Sequence, residues 1–232
     1  MSAAELPRMF TRRFDDREAL LAALGAQLTR ALEETGPRAV MLSGGSTPMP
    51  AYRALAARAP RPAPDLFVFF SDDRYVPSTS EASNYHQSRP LLDALALPAE
   101  QVLRVRTELP LDEAAEDYER RLAELGTRGV RCGLGLLGLG ADGHTASLFS
   151  ANDLARAAGH RALAVHRPDG RDAVSVSPAV LAEIAQLVFV VAGDDKRAAL
   201  AALLARDPKL TAYRAVAACP AVEVWTEPTA LP

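Results

Sequence analysis

Four short stretches of the chain carry no polar side chain and stop abruptly at serine or glycine: Ala39–Leu42, Leu66–Phe70, Leu134–Leu137 and Leu187–Ala192. A strand with one wet face alternates polar and apolar residues, so a run without polar members has both faces covered, as in a parallel sheet between two helical layers. The segments between them repeat at helical spacing. Asp15–Glu34 places Leu20, Leu21, Leu24, Leu28, Ala31 and Leu32 on one face, and Leu111–Leu125 is strongly amphipathic. Further helices are expected from Pro48 to about Ala59, from Ser83-Asn84-Tyr85 onward, briefly after Ser177-Pro178, and from Lys196 to near Leu204. Weaker strands are expected at Val102–Val105 and Val222–Trp225, and a pair at Ala162–His166 and Ala173–Ser177 flanks the turn signal Pro168-Asp169-Gly170. This alternation predicts an α/β fold, a three-layer sandwich around a mostly parallel, Rossmann-like sheet. With no repeat or linker in 232 residues, one domain spanning 1–232 is expected.

In such a sheet the loops at the carboxyl ends of the strands fall on one side. Ser43–Thr47, Asp72–Arg74, Asp142–His144 and Lys196 are therefore expected to converge. The apolar run at Leu134–Leu137 empties into Gly138-Leu-Gly-Ala-Asp142-Gly-His144-Thr-Ala-Ser-Leu-Phe149. Its glycines match a dinucleotide-binding pattern literally, but one match lies inside the apolar run and no carboxylate stands near Leu163–His166, where a ribose hydroxyl would need it. Asp142 and His144 read either as a turn cap and a surface residue or as a site whose flanking glycines admit a ligand. Ser43-Gly44-Gly45-Ser46-Thr47-Pro48 follows a strand and opens a helix, the arrangement of an anion cradle, without the lysine of a Walker A loop. Asp72 and Arg74 either anchor a ligand or pair with each other, and Lys196 either reaches a phosphate or is solvated.

The bulk properties exclude several classes. A net charge of -3 and a pI near 5.9 provide no reason to bind nucleic acid, so an anionic ligand must meet a local cluster of donors. Cys132 and Cys219 have no metal-type spacing and are expected as reduced thiols. His86, His144, His160 and His166 form no His-x-x-x-His, so a catalytic zinc is not expected. No run approaches the roughly 18 residues of a membrane span. Met1–Phe10 carries Glu5 and Pro7 where an export signal would be apolar, which points to the cytoplasm and no membrane partner. The expected assembly is a monomer or weak homo-oligomer.

Four stretches together resemble the 6-phosphogluconolactonase family: Leu42-Ser-Gly-Gly-Ser-Thr-Pro48; Phe70-Ser-Asp-Asp-Arg74 with Ser83-Asn-Tyr85; Leu137–Phe149; and Val191-Ala-Gly-Asp-Asp-Lys196. The string Asp142-Gly-His-Thr-Ala-Ser-Leu-Phe149 is the specific one. The resemblance implies hydrolysis of 6-phospho-D-glucono-1,5-lactone to 6-phosphogluconate, the second step of the oxidative pentose phosphate pathway, with no redox cofactor or obligatory metal. It implies His144 as general base with Asp142 beside it, and Gly44, Gly45, Ser46, Arg74 and Lys196 toward the sugar phosphate. Ser43, Thr47 and Asp72 join them as binding candidates by position. Two departures stand out. Asp73 replaces a customary glutamate, and Ala173 replaces an arginine for which Arg171 is the substitute within reach.

The chemistry suits this inventory, because a δ-lactone is an activated ester that needs a deprotonated water, a steadied oxyanion and a held phosphate. An unperturbed imidazole, with a pKa of about 6.5, is mostly neutral at pH 7. No Gly-x-Ser-x-Gly elbow offers a serine nucleophile. The related aminosugar-phosphate deaminases and isomerases resemble a pattern with glutamate five residues beyond the histidine, where this chain has Phe149, a ring that shuttles no proton. A non-catalytic sugar-phosphate-binding domain of a regulator would need a basic DNA-binding segment, and none precedes Ala39.

Overall fold

The computed structural model describes residues 8–231, so the first seven residues of the amino-terminal stretch read above lie outside the described part. In chain order the elements are β1 (Arg8–Arg13), α1 (Arg17–Glu33), β2 (Arg38–Leu42), α2 (Met49–Ala56), β3 (Leu66–Phe70), β4 (Asp72–Arg74) and α3 (Asn84–Leu95). There follow β5 (Val102–Leu103), α4 (Leu111–Thr127), β6 (Arg131–Leu137), α5 (Ala151–Arg156), β7 (Ala162–His166) and β8 (Asp172–Val176). The chain closes with α6 (Pro178–Ala182), β9 (Gln186–Val191), α7 (Arg197–Leu204), α8 (Thr211–Ala215) and β10 (Ala221–Thr226).

Seven strands form a parallel sheet in the order β1-β10-β9-β6-β2-β3-β5. Its apolar runs split by parity, as a period of two requires. Val40, Leu42, Leu66, Val68, Phe70, Val188 and Val190 pack under α1, α2 and α3, against Leu20, Leu24, Leu28, Leu32, Tyr52 and Leu91. Ala39, Met41, Phe67, Phe69, Leu187, Phe189 and Val191 face the other way, onto α4 and α7. Both faces of these runs are buried, which is why the runs carry no polar side chains.

Chain direction across the sheet reverses between β2 and β6. From β2 the chain moves outward to β3 and β5, and from β6 it moves the other way to β9 and β10. The loops after β2 and β6 therefore part at this point and leave a crevice, the place where open α/β sheets hold ligands. A Cβ built on Gly138 would stand 3.8 Å from Ser43 Oγ, so the two loops face each other closely.

Three features depart from the sequence reading. β1 is an edge strand with an almost wholly exposed pattern, and it lacks an alternation that would have revealed it. Asp72–Arg74, expected as a loop, is a strand of a second, antiparallel sheet in the order β4-β8-β7, so the expected Ala162–His166 and Ala173–Ser177 pair does not join the parallel sheet. The short helices α5 and α8 were likewise not anticipated. Charged residues have low strand propensity, and here tertiary pairing with β8 overrides it.

Two buried tyrosines peg the strand ends beside the crevice. Tyr52 Oη accepts from Ser43 N at 3.2 Å and donates to Ser43 O at 3.0 Å, while Tyr118 Oη accepts from Phe70 N at 2.9 Å and donates to Phe70 O at 2.6 Å. Burial raises both phenols well above their ordinary range, so they stay neutral and able to donate.

Candidate active site

The crevice is a cavity of about 220 Å³. Ser43, Gly44, Gly45, Ser46, Thr47, Asp72, Arg74, His144 and Lys196 all line it, although they come from four distant parts of the chain. Asn84, carried in the sequence reading only within the stretch Ser83-Asn-Tyr85, and Arg167, which the sequence did not single out, line it too. Three cationic side chains and one carboxylate thus share a small volume in a protein of net negative charge. Such a local excess attracts an anion whatever the overall charge.

His144 is oriented by its neighbours. Its Nδ1 lies 2.5 Å from Asp142 Oδ1, and its backbone N–H donates to the same oxygen at 3.2 Å. An ionised carboxylate only accepts, so Nδ1 carries the proton and Nε2 keeps the lone pair of a base. Burial alone would raise the Asp142 carboxyl, but the hydrogen bonds from the His144 ring and backbone outweigh it and hold the group below its ordinary value. Asp142 does not line the cavity. It reaches the site only through the imidazole that it touches.

The loop that presents this pair is tightly wound. Gly140 N donates to His144 O at 2.9 Å, Gly143 N to Gly140 O at 3.0 Å, and Thr145 Oγ1 to Gly138 O at 2.8 Å. Gly140 is bare because the imidazole lies against it, and a Cβ there would sit 2.1 Å from His144 Nδ1 and 2.4 Å from Asp142 Oδ1. The earlier Gly133 and Gly135 lie within β6, and at Gly135 a Cβ would meet the Ile184 side chain at 2.7 Å. Gly135 thus reflects strand packing, and both glycines lie in a strand instead of a strand-to-helix loop, so their match to the nucleotide pattern is accidental. The ring of Phe149 stacks beside the imidazole, with centroids 4.3 Å apart.

Asp72 is buried and its two oxygens accept from Ser71 Oγ at 2.9 Å and Ser147 Oγ at 2.7 Å. Arg74 Nη1 donates to Asn84 Oδ1, and Asn84 Nδ2 donates to Asp72 O at 2.9 Å. Gly44 makes room for this asparagine, since a Cβ on it would fall 1.9 Å from Asn84 Oδ1. Lys196 Nζ contacts Asp195 Oδ2 at 3.0 Å and keeps further N–H groups for a ligand. Its loop starts at Gly193, whose φ of 102° suits glycine, and is tied down by Gly193 N donating to the buried Glu227 at 3.0 Å.

Arg171 is the exception among the expected binding residues. It does not line the cavity: its side chain is 54% exposed and pairs with Asp169 at 3.0 Å. In the β7–β8 turn Arg167 N bonds Arg171 O at 2.9 Å, and Arg167 is the member that turns inward. No sequence signal separates two arginines four residues apart across a hairpin; only the face each takes does so.

Asp73 does not line the cavity either. Its Oδ1 accepts from Asn84 N at 2.6 Å, and its Oδ2 accepts from Ser83 Oγ at 3.0 Å and Tyr85 N at 3.2 Å, so it holds the start of α3 and thereby Asn84. Burial outweighs these bonds and raises its carboxyl to about 6 from an ordinary 3.8. Between those values the folded chain keeps a proton that the unfolded chain has lost. Stability contributed by this group is therefore full below pH 3.8 and falls as pH rises through about 6. Relative to Asp73→Asn, the wild type is expected to lose on the order of 3 kcal/mol between pH 4 and pH 7 in urea unfolding. Parallel pH curves for the two proteins would contradict it.

Among the described residues no three His, Cys, Asp or Glu side chains gather to hold a metal ion, and no helix is long and apolar enough to cross a membrane. A sequence model of the family described as glucosamine-6-phosphate isomerases/6-phosphogluconolactonase matches residues 15–226. The 6-phosphogluconolactonase of a Synechocystis species is 34% identical over 206 residues, covering 85% of this chain and 84% of that protein. That of a Nostoc species is 35% identical over 211 residues, covering 85% and 86%. The crystal structure of 6-phosphogluconolactonase from Thermotoga maritima superposes with a TM-score of 0.82 at 26% identity, covering 95% of this chain and all of that one.

Proposed function

The chain belongs to the family of glucosamine-6-phosphate isomerases and 6-phosphogluconolactonases, and from that membership we propose that it hydrolyses 6-phospho-D-glucono-1,5-lactone to 6-phospho-D-gluconate in the oxidative pentose phosphate pathway, with His144 as general base. The observation that carries this reading is the Asp142–His144 pair, which leaves Nε2 as a base in a cavity that also holds cationic side chains. His144 takes a proton from water as its oxygen bonds to C1. The tetrahedral oxyanion then collapses, the bond from C1 to the ring oxygen breaks, and the imidazolium returns the proton to that oxygen. The acid formed loses its proton to solvent. Asp142 favours the imidazolium while it exists.

Phe149 supports the lactonase branch over the isomerase branch of the family. Isomerisation moves protons between carbons and needs a second acid-base group beside the histidine. The ring packed there supplies none. The phosphate is held by the Ser43–Thr47 loop, Arg74 and Lys196, and Asp72 faces the sugar hydroxyls. The cytoplasmic location and single-domain organisation expected from the sequence belong to the same reading.

A coupled assay on freshly generated lactone, with spontaneous opening subtracted, is expected to show enzyme-dependent hydrolysis and no turnover of glucosamine 6-phosphate. The reverse pattern would overturn it. Charge-assisted contacts are worth about 1.5–3 kcal/mol, so Arg74→Ala and Lys196→Ala are each expected to raise KM by about 10–100-fold with kcat changed only a few-fold. An unphosphorylated lactone would lose that discrimination. Equal kcat/KM for both lactones in the wild type would refute a phosphate role for these residues.

A further inference from the structure

The three cations of the cavity are not equivalent. Arg74 is tied to Asn84 beside the Gly44 loop, and Lys196 rises from the loop after β9. Arg167 instead lies over the ring of Phe149, 5.0 Å from its centroid, and that same ring stacks on His144 at 4.3 Å. It is also fixed in place. Its Nη1 donates to Ser147 Oγ at 3.2 Å, its Nε and Nη2 reach Asp169 at 3.2 Å, and its side chain is only 11% exposed. Asp169 is shared with Arg171, so it does not cancel both positive charges. A positive charge therefore remains one aromatic ring away from the base, in the lining of the same cavity.

The substrate of the proposed reaction develops negative charge in a second place besides its phosphate. C1 is neutral in the lactone, carries an oxyanion once water has added, and ends as a carboxylate. A cation at the phosphate binds substrate and transition state alike, whereas a cation beside C1 acts only as charge appears there. We propose that Arg167 is the residue that receives the C1 oxygens, stabilising the oxyanion and then holding the product carboxylate. This rests on the lactonase reading and extends it to a residue outside the motifs that revealed the family. Ser147 links the group to Asp72, so guanidinium, buried hydroxyl and buried carboxylate form one hydrogen-bonded chain.

The test separates carboxylate from phosphate. Binding of 6-phosphogluconate and of glucitol 6-phosphate, which has an alcohol at C1, is measured by calorimetry for wild type, Arg167→Ala, Arg167→Gln and Arg167→Lys, alongside kcat and KM. Arg167→Ala is expected to lower kcat by about 10²–10³-fold, the usual effect of losing an oxyanion donor, with KM within a few-fold. It should weaken 6-phosphogluconate at least about tenfold, as loss of a charge-assisted contact does, and leave glucitol 6-phosphate unchanged. Arg167→Gln, which keeps a donor toward Ser147 without the charge, should match it, and Arg167→Lys should recover part of both losses. Equal weakening of the two ligands, or of neither, overturns the assignment, because a packing or phosphate role would not distinguish them. A wild type that leaves the lactone unopened would instead sink the lactonase reading, while the binding comparison would still decide which group Arg167 holds.

Discussion

Replacement of His144 by alanine is expected to lower kcat on the lactone by about 10²–10⁴-fold, the span associated with losing a general base. The fold should survive, since the imidazole is partly exposed and its ring partners are Asp142 and Phe149 at the cavity rim. Binding of 6-phosphogluconate should change little, because the cations that grip it remain. Thus the loss belongs to kcat, and it identifies an interaction made mainly in the transition state. The background rate must be measured without protein at each pH, because an activated ester opens in water unaided. A variant that keeps the wild-type enzyme-dependent rate would remove His144 from the mechanism.

The second large effect is expected from a residue with no functional group. Gly140→Ala puts a methyl carbon 2.1 Å from His144 Nδ1 and 2.3 Å from its Cε1, with Asp142 Oδ1 at 2.4 Å. Neither side chain is free to yield without cost, since the hydrogen bond between them is what orients the base. The imidazole must leave its place, and displacements of about 1 Å at a reacting group cost on the order of 10²-fold. A fall in kcat of about 10²-fold or more is therefore expected, at a melting temperature near that of the wild type. Gly36→Ala is the control: that glycine lies in a turn with open space around its Cβ position, so its cost is one of backbone strain and should appear in stability and leave kcat alone. Unchanged kcat in Gly140→Ala would show that the loop relaxes and that the ring is not held by contact with residue 140.

These two residues illustrate different kinds of legibility. His144 announces itself in the sequence, because an Asp-x-His at the mouth of an apolar strand is a chemical statement about the loop. Gly140 does not. Its spacing imitates a nucleotide-binding pattern, and only the ring lying against it explains why a side chain is excluded. Asp73 is similar in kind. As a letter it stands beside Asp72 and invites the same role, yet one carboxylate lines the cavity and the other is spent on the start of α3.

What the chain by itself determined is the layered architecture and the set of loops that meet in the crevice. Burial on both faces demands unbroken apolar runs, and alternation with amphipathic helices then dictates a parallel sheet whose carboxyl ends share one side. Those are local demands, written residue by residue. Only the tertiary structure decided that Arg167 and not Arg171 enters the cavity, that Asn84 bridges Arg74 and the Asp72 carbonyl against Gly44, and that Asp72–Arg74 is a strand of a second sheet. Each of these follows from which segment lies beside which in space, set by pairing across more than 90 residues in the case of β4 and β8. No spacing within a single segment encodes such a neighbour.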